Sequence, residues 1–334
     1  MPRFVLRRLS FAVALAAALC ATLAAPSRAA DKITTLRLDW AYYNPVSLVL
    51  RDKGWMEEEF APDGVKLDWV LSLGSNKALE FLNGNSIDFG SSAGAAALLG
   101  KANGVPIKAV YIFSKPEWTA LVTRKDSAIA KVEDLKGKRI AVTRGTDPHI
   151  FLLRALALHG LKSPDVKMVL LQHPDGRVAL ERGDVDAWAG LDPYMAQTEL
   201  EQGSRLFFRN PDLNTYGFLN VREDFAAAHP DVVERVLTVY EKARKWSLSH
   251  PEELRAIVAK AGKLTDQVAA KQLERNDLSS GMIGAKQRDT IVAAGDVLKE
   301  SGVIPGDTDI GKTADALIDP QYITRVAKRQ EAQK

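Results

Sequence analysis

From residue 36 to residue 208 the chain alternates between short runs of β-formers and helical runs that stop at glycine. Leu36–Asp39, Val65–Leu71, Ile87–Gly90 and Ile107–Phe113 read as strands; Val46–Trp55, Lys77–Leu82 and Ala93–Lys101 read as the helices between them. A second unit repeats the logic. Its strands are Leu121–Thr123, Arg139–Val142, Val166–Leu171, Val185–Ala189 and Arg205–Phe208; its helices are a short one at 132–137, then His149–His159, Arg177–Glu181 and Pro193–Glu201. Strands alternating with helices of this length predict parallel sheets with helices on both faces. The units also echo each other. Ala78-Leu79-Glu80 leads through Gly84 to Ile87-Asp88-Phe89-Gly90, and Ala179-Leu180-Glu181 leads through Gly183 to Val185-Asp186-Ala187-Trp188. From Asp224 onward the pattern is helical, at Pro230–Ser247, Pro251–Lys260, Thr265–Leu273 and Lys286–Glu300, with a frayed polar tail expected over 325–334.

The N-terminus narrows the setting. Arg3, Arg7 and Arg8 precede an apolar run from Leu9 to Leu23, and Ser27-Arg28-Ala29 offers small residues for cleavage, so residues 1–29 read as a secretory signal peptide. The run is shorter than the ~20 apolar residues a membrane anchor needs. Cys20 raises lipid attachment, against which Leu19 is bulkier than such sites take. The formal charge of +3 includes four signal arginines (Arg3, Arg7, Arg8, Arg28) and no signal acids, so the mature chain sits near −1. Neither nucleic acid nor an anionic membrane is implied as a partner. Cys20 is the only cysteine, which excludes disulfides, cysteine metal sites and thiol nucleophiles from the mature chain.

In open parallel sheets, ligands bind beyond the carboxyl ends of strands, where loops meet helix starts. Those loops are Trp40–Asn44, Gly74–Asn76, Gly90–Gly94, Trp118, Thr143–His149, Leu191–Tyr194 and Asn214–Tyr216. They hold hydroxyl residues beside helix N-termini, which favour anions, and large aromatics that wall a pocket. Ser75, Ser91 and Thr146 are equally well read as helix N-caps. Trp55, Trp69 and Trp246 fall within elements and are expected in the core, whereas Trp40, Trp118 and Trp188 lie at strand ends and are candidates for ligand contact. His159 reads as C-terminal capping, and His173, His229 and His250 as turn residues; the five histidines make no metal-binding spacing, so neither metal nor cofactor is expected. Gly90-Ser91-Ser92-Ala93-Gly94 matches the G-x-S-x-G elbow of serine hydrolases. Ser92 with Asp192 and His229 or His250 satisfies that chain order, but both histidines stand in His-Pro helix-start turns.

The segment Val132–Val142, then Gly145 and His149, then Gly183–Trp188 and Asp192-Pro193-Tyr194, resembles the periplasmic binding proteins of aliphatic-sulfonate transporters. Taurine-, nitrate- and thiamine-precursor-binding proteins are close to that group. Ala78–Gly94 and Asp212-Leu213-Asn214 fit as well, and the likeness runs through residues 35–300. The resemblance implies a type II periplasmic binding protein, α/β, with two lobes, a central ligand cleft and two hinge crossings near Trp118 and Gly217–Val221. Residues 30–117 would begin lobe one, 118–218 form lobe two, and 219–334 complete lobe one. By the same resemblance the chain is a periplasmic monomer that is not an enzyme. It would take an aliphatic or aryl sulfonate, or a similar small organic anion, to the permease of an ABC importer. Ser75, Ser91, Ser92, Gly145 and Thr146 would hold the anion, and Trp40, Tyr42, Trp118 and Trp188 would pack its organic part. Asn44, His149, Asp192, Tyr194 and Asn214 complete the expected binding set. Taurine, nitrate and a pyrimidine are alternative ligands, although aromatics of this size have nothing to cover on nitrate. Desulfinases on this fold use a cysteine with no counterpart after residue 30. Two departures stand out: Asp147 places a carboxylate near the expected anion, with Arg144 beside it, and Leu191 replaces the aromatic that often precedes D-P-Y.

Overall fold

The computed structural model describes residues 32–332; the expected signal peptide lies outside the described residues. The first run of elements is β1 (Thr35–Trp40), α1 (Pro45–Lys53), α2 (Trp55–Phe60), β2 (Lys66–Leu71), α3 (Ser75–Asn83), β3 (Phe89–Ala93), α4 (Gly94–Ala102) and β4 (Ile107–Pro116). Next come β5 (Leu121–Thr123), β6 (Arg139–Val142), α5 (Asp147–Leu158), β7 (Lys167–Leu170), α6 (His173–Arg182), β8 (Ala187–Ala189), α7 (Tyr194–Gln202) and β9 (Arg205–Phe208). The chain returns as β10 (Gly217–Arg222), followed by α8 (Glu223–Ala228), α9 (Pro230–Ser249), α10 (Pro251–Gly262), α11 (Asp266–Glu274), β11 (Asn276–Asp277), α12 (Ala285–Glu300), α13 (Ile310–Leu317) and α14 (Gln321–Ala332). Local chemistry explains the boundaries. Asn44 caps α1 by accepting from Ser47 N, Pro45 sits where no N–H is needed, and Gly54 closes the helix at φ 66°, a left-handed conformation that suits glycine.

The strands form two sheets, ordered β11-β4-β10-β3-β1-β2 and β7-β6-β8-β5-β9. β1 runs parallel to β2 and β3, and β6 parallel to β7 and β8, as the alternation predicts. The sheets are nevertheless mixed, which corrects the expectation of wholly parallel ones. β10 is antiparallel to both β3 and β4, and β5 is antiparallel to β8 and β9. These are the strands that enter each sheet from the other lobe, so they arrive heading the opposite way. Residues 117–120 and 209–216 make the two crossings; Gly217–Val221, expected at a crossing, already lies in β10.

Each sheet buries its own apolar face. Beneath the second, Leu121, Ile140, Val142, Phe151 and Leu156 form one cluster. Ala120, Val122, Ala141, Leu180, Trp188 and Met195 form another. Each buried Val, Leu, Ile, Phe or Met among them contributes roughly 1.5–3 kcal/mol by leaving water. The expected frayed tail is instead helix α14, whose Tyr322, Ile323 and Val326 are buried. Three apolar residues at helical spacing outweigh the polar residues around them. No described helix is long and apolar enough to cross a membrane.

Candidate functional site

Loops from both sheets meet at one cavity of about 10 Å³, lined by Tyr43, Ser75, Trp118, Thr146, Asp147, Pro148, His173 and Leu191. That is room for about one water, so a larger guest needs the lobes to part. α3 and α5 both begin here, at Ser75 and Asp147. Their N-termini bring unpaired N–H groups and positive dipole ends to the same place. Ser75 Oγ accepts from Ala93 N at 3.0 Å, which leaves its own proton for a further acceptor. Thr146 Oγ1 donates to Thr143 O at 2.7 Å, so its proton already fixes the loop. Gly145, at φ 76°, turns its N–H toward His149 Nδ1 at 3.5 Å. Burial, with the Arg144 charge beside it, pushes His149 down to about 4 and keeps the ring neutral.

Asp147 is fully buried, yet well supplied with donors. Trp118 Nε1 donates to it at 2.8 Å, Thr215 N at 3.0 Å and Thr215 Oγ1 at 2.7 Å. Thr215 Oγ1 in turn accepts from Ala95 N of α4 at 3.2 Å. Trp118 and Thr215 lie in the two crossings, so this carboxylate ties both hinge segments to the start of α5. Burial raises its pKa, and the Trp118 and Thr215 donors oppose that rise. Arg144 is exposed and forms no part of this arrangement.

Beneath the cavity, hydroxyls and amides serve the scaffold. Ser91 donates through N and Oγ to the buried Asp39 at 2.9 and 2.8 Å, and Asn44 Nδ2 donates to Ser91 Oγ at 2.8 Å. Ser92 Oγ accepts from Asn220 Nδ2 at 2.8 Å and donates to Ala93 O at 3.1 Å. Asn214 Oδ1 accepts from Thr119 N at 3.1 Å, joining one crossing to the other. Asp192 lies 3.3 Å from Arg275, whose guanidinium also reaches Glu199, and it accepts from Ala196 N at 2.9 Å.

A family model described as NMT1/THI5 like matches residues 47–254. The chain belongs to the NMT1/THI5-like family. A protein of Escherichia coli (strain K12) described as an aliphatic sulfonates-binding protein is 30% identical over 272 residues, 79% of this chain and 84% of its own length. A protein of Bacillus subtilis (strain 168) with the same description is 30% identical over 250 residues, 73% of this chain and 75% of its own. Among solved structures, the alkanesulfonate-binding protein SsuA from Xanthomonas axonopodis pv. citri bound to MOPS matches with a TM-score of 0.79 at 26% identity. That match covers 87% of this chain and 100% of SsuA.

In this NMT1/THI5-like chain the cavity brings together Ser75, Trp118 and Thr146 from the expected set. It does not include the others. Ser91, Ser92, Asn44, Asn214 and Asp192 spend their polar atoms on the scaffold bonds given above. Trp188 is wholly buried in the core of the second lobe, where Gly176 makes room for its indole; a Cβ there would come within 2.7 Å of Nε1. A side chain at a strand's end belongs to whichever face the pleat assigns it, and for Trp188 that is the core face. Trp40 is half-buried under the Arg51 guanidinium, 4.1 Å from its ring centre, with Tyr42 edge-on to it at 5.4 Å. Tyr194 is half-buried; burial, and after it the Tyr42 hydroxyl, push it up to about 12.

The tryptophans expected in the core are also displaced. Trp55 and Trp246 pack edge to face at the surface with Lys242 and Lys53 over their rings, and Trp69 is half-buried and donates to Glu57. The elbow reading fails on geometry. Ser92 is buried in extended strand β3, and its hydroxyl partners are an amide and a carbonyl rather than an imidazole. Tyr43, Asp147, Pro148, His173 and Leu191 line the cavity from outside the expected binding set. Tyr43 takes the place expected of its neighbours Trp40 and Tyr42, its hydroxyl donating to Ser91 O at 2.9 Å. His173, read as a turn residue, is fully buried against the cavity. The strand-end rule that selected the other loops applies equally to the loop after β7 and was the available signal for His173.

Proposed function

We propose that this protein captures a small organic sulfonate between its two lobes outside the cytoplasm and delivers it to the permease of an ABC importer, without chemistry. The observation that carries this reading is the convergence, on one cavity, of Ser75, the N-termini of α3 and α5, and the aromatic wall of Tyr43 and Trp118. A desolvated sulfonate is satisfied by several converging neutral donors, which leave it free to depart more readily than a buried ion pair would. The relatives described as sulfonate-binding supply the headgroup. The signal-like N-terminus supports export, and the likeness to the periplasmic aliphatic sulphonate binding protein SsuA from Escherichia coli, 27% identical, supports the compartment. Lobe boundaries at the two crossings belong to the same proposal, as does a monomeric carrier.

Thermal unfolding in the presence of alkanesulfonates, carboxylates, nitrate and pyrimidines tests it. A ligand at about 100 times its dissociation constant stabilises by about 2.7 kcal/mol. Alkanesulfonates are expected to raise the melting temperature and nitrate to leave it unchanged. Stabilisation by carboxylates alone would overturn the sulfonate assignment.

A further inference from the structure

His173 is the least satisfied polar group in the cleft. The residue is fully buried, lines the cavity, and has no partner among the described residues within hydrogen-bonding distance of either Nδ1 or Nε2. Its Nε2 edge crosses to the first lobe, where it lies 3.1 Å from the position a Gly74 Cβ would occupy. Asn76 Oδ1, a second buried atom without a protein partner, is 2.8 Å from that same point. Orphaned polar groups from opposite lobes thus meet at the start of α3. A cavity with room for about one water can bridge one ring nitrogen, not both.

The inventory of donors decides what suits this ring. A neutral imidazole has one N–H and one acceptor nitrogen, whereas a sulfonate offers acceptors only. An anionic headgroup therefore satisfies both nitrogens only when both carry protons. We propose that His173 contacts the bound headgroup directly and that capture of the anion is coupled to uptake of a proton by its imidazole. This rests on the sulfonate reading above. Before binding, burial holds the ring neutral, with its pKa down at about 3. An anion beside the ring stabilises the charged form and raises that value. The bound state then holds more proton than the free state, so affinity increases as pH falls.

The other titratable groups at the cavity are Asp147 on α5, already bonded to Trp118 and Thr215, and Tyr43 before α1. Around α6, Tyr194 stands at the start of α7, and β6 and β8 present Ala141 and Trp188. On α3, Lys77 pairs with Glu80; on α6 itself Asp175 is exposed and Arg177 pairs with Glu181. Among these, only Asp147 is another carboxyl at the cavity.

Calorimetric titration with ethanesulfonate, in phosphate and in bis-Tris because many common buffers are themselves sulfonates, measures the proton directly. The wild type is expected to take up a fraction of a proton near pH 6 and to bind about tenfold more tightly at pH 5 than at pH 7. His173→Gln, which offers an amide N–H donor group and a carbonyl acceptor but cannot titrate, is expected to bind at pH 7 with no proton uptake and a flat profile. Wild-type binding with no proton uptake would overturn the proposal without any variant, and so would a pH dependence that survives in His173→Gln. Failure of ethanesulfonate to bind at any pH would instead overturn the sulfonate reading itself.

Discussion

Asp39 is wholly buried, and burial pushes its carboxyl up to about 6 even though Ser91 N and Oγ donate to it. The unfolded chain holds that proton only below about 4. Between those values the folded state binds more proton than the unfolded one, so this group makes the protein more stable as pH falls from about 7 toward 4. The ionised form at neutral pH costs about 3 kcal/mol. Asp39→Asn removes the titration while keeping an acceptor for Ser91. Wild type is therefore expected to gain stability relative to the variant as pH is lowered from about 7 to about 5, read from urea midpoints across that range. A difference that stays constant with pH would mean that folded Asp39 stays ionised down to pH 5, as the unfolded chain does, and that burial does not raise its pKa. Asp192, also raised to about 6 by burial, titrates in both proteins and drops out of the comparison.

At the level of elements, the turn that starts α3 controls how closely the lobes approach. Gly74 has an extended φ of 174° that any residue adopts, so glycine is needed there for space alone. A Cβ would stand 2.8 Å from Asn76 Oδ1 and 3.1 Å from the His173 ring across the cleft. Gly74→Ala should therefore oppose closure more than folding. Overpacking of this kind costs roughly 1–3 kcal/mol, so binding of an alkanesulfonate is expected to weaken by about tenfold to a hundredfold while the melting temperature of the ligand-free protein changes little. Equal loss of stability and affinity would show that the turn belongs to the core of its own lobe.

Across the whole molecule, the lobes are joined by polar contacts as well as by the crossings. Arg275, at the end of α11 in the first lobe, reaches Asp192 and Glu199 of the second; it and Asp192 are 3% and 1% exposed at their side chains. Removing one partner from a buried pair costs roughly 3–5 kcal/mol because the other charge is left without compensation. Arg275→Met leaves two carboxylates facing the first lobe, and the lobes can solvate them by opening. Small-angle scattering of the ligand-free variant should give a larger radius of gyration than wild type, together with weaker ligand binding. An unchanged radius would make the pair a local brace rather than a determinant of closure.

The alternation of short β-rich runs and glycine-ended helices, a local property, was enough to place nearly every element between β1 and β9, and the strand-end rule marked every loop that borders the cavity except the one after β7. The single cysteine stands at position 20, so the described residues carry no thiol. Which side chains in those loops face a guest was decided only by the tertiary structure, because a polar atom is spoken for by partners far away in the chain. Ser91 meets Asp39 across 52 residues, Asp147 meets Thr215 across 68, and Arg275 meets Asp192 across 83. The same distance effect turned β5 and β10 antiparallel, since the direction of a strand arriving from the other lobe is set by the crossing and not by its residues. It also left Ser75 with a free proton and His173 without a partner among the described residues, so their polar atoms, unlike those of Ser91 or Asp192, are not spent on the scaffold.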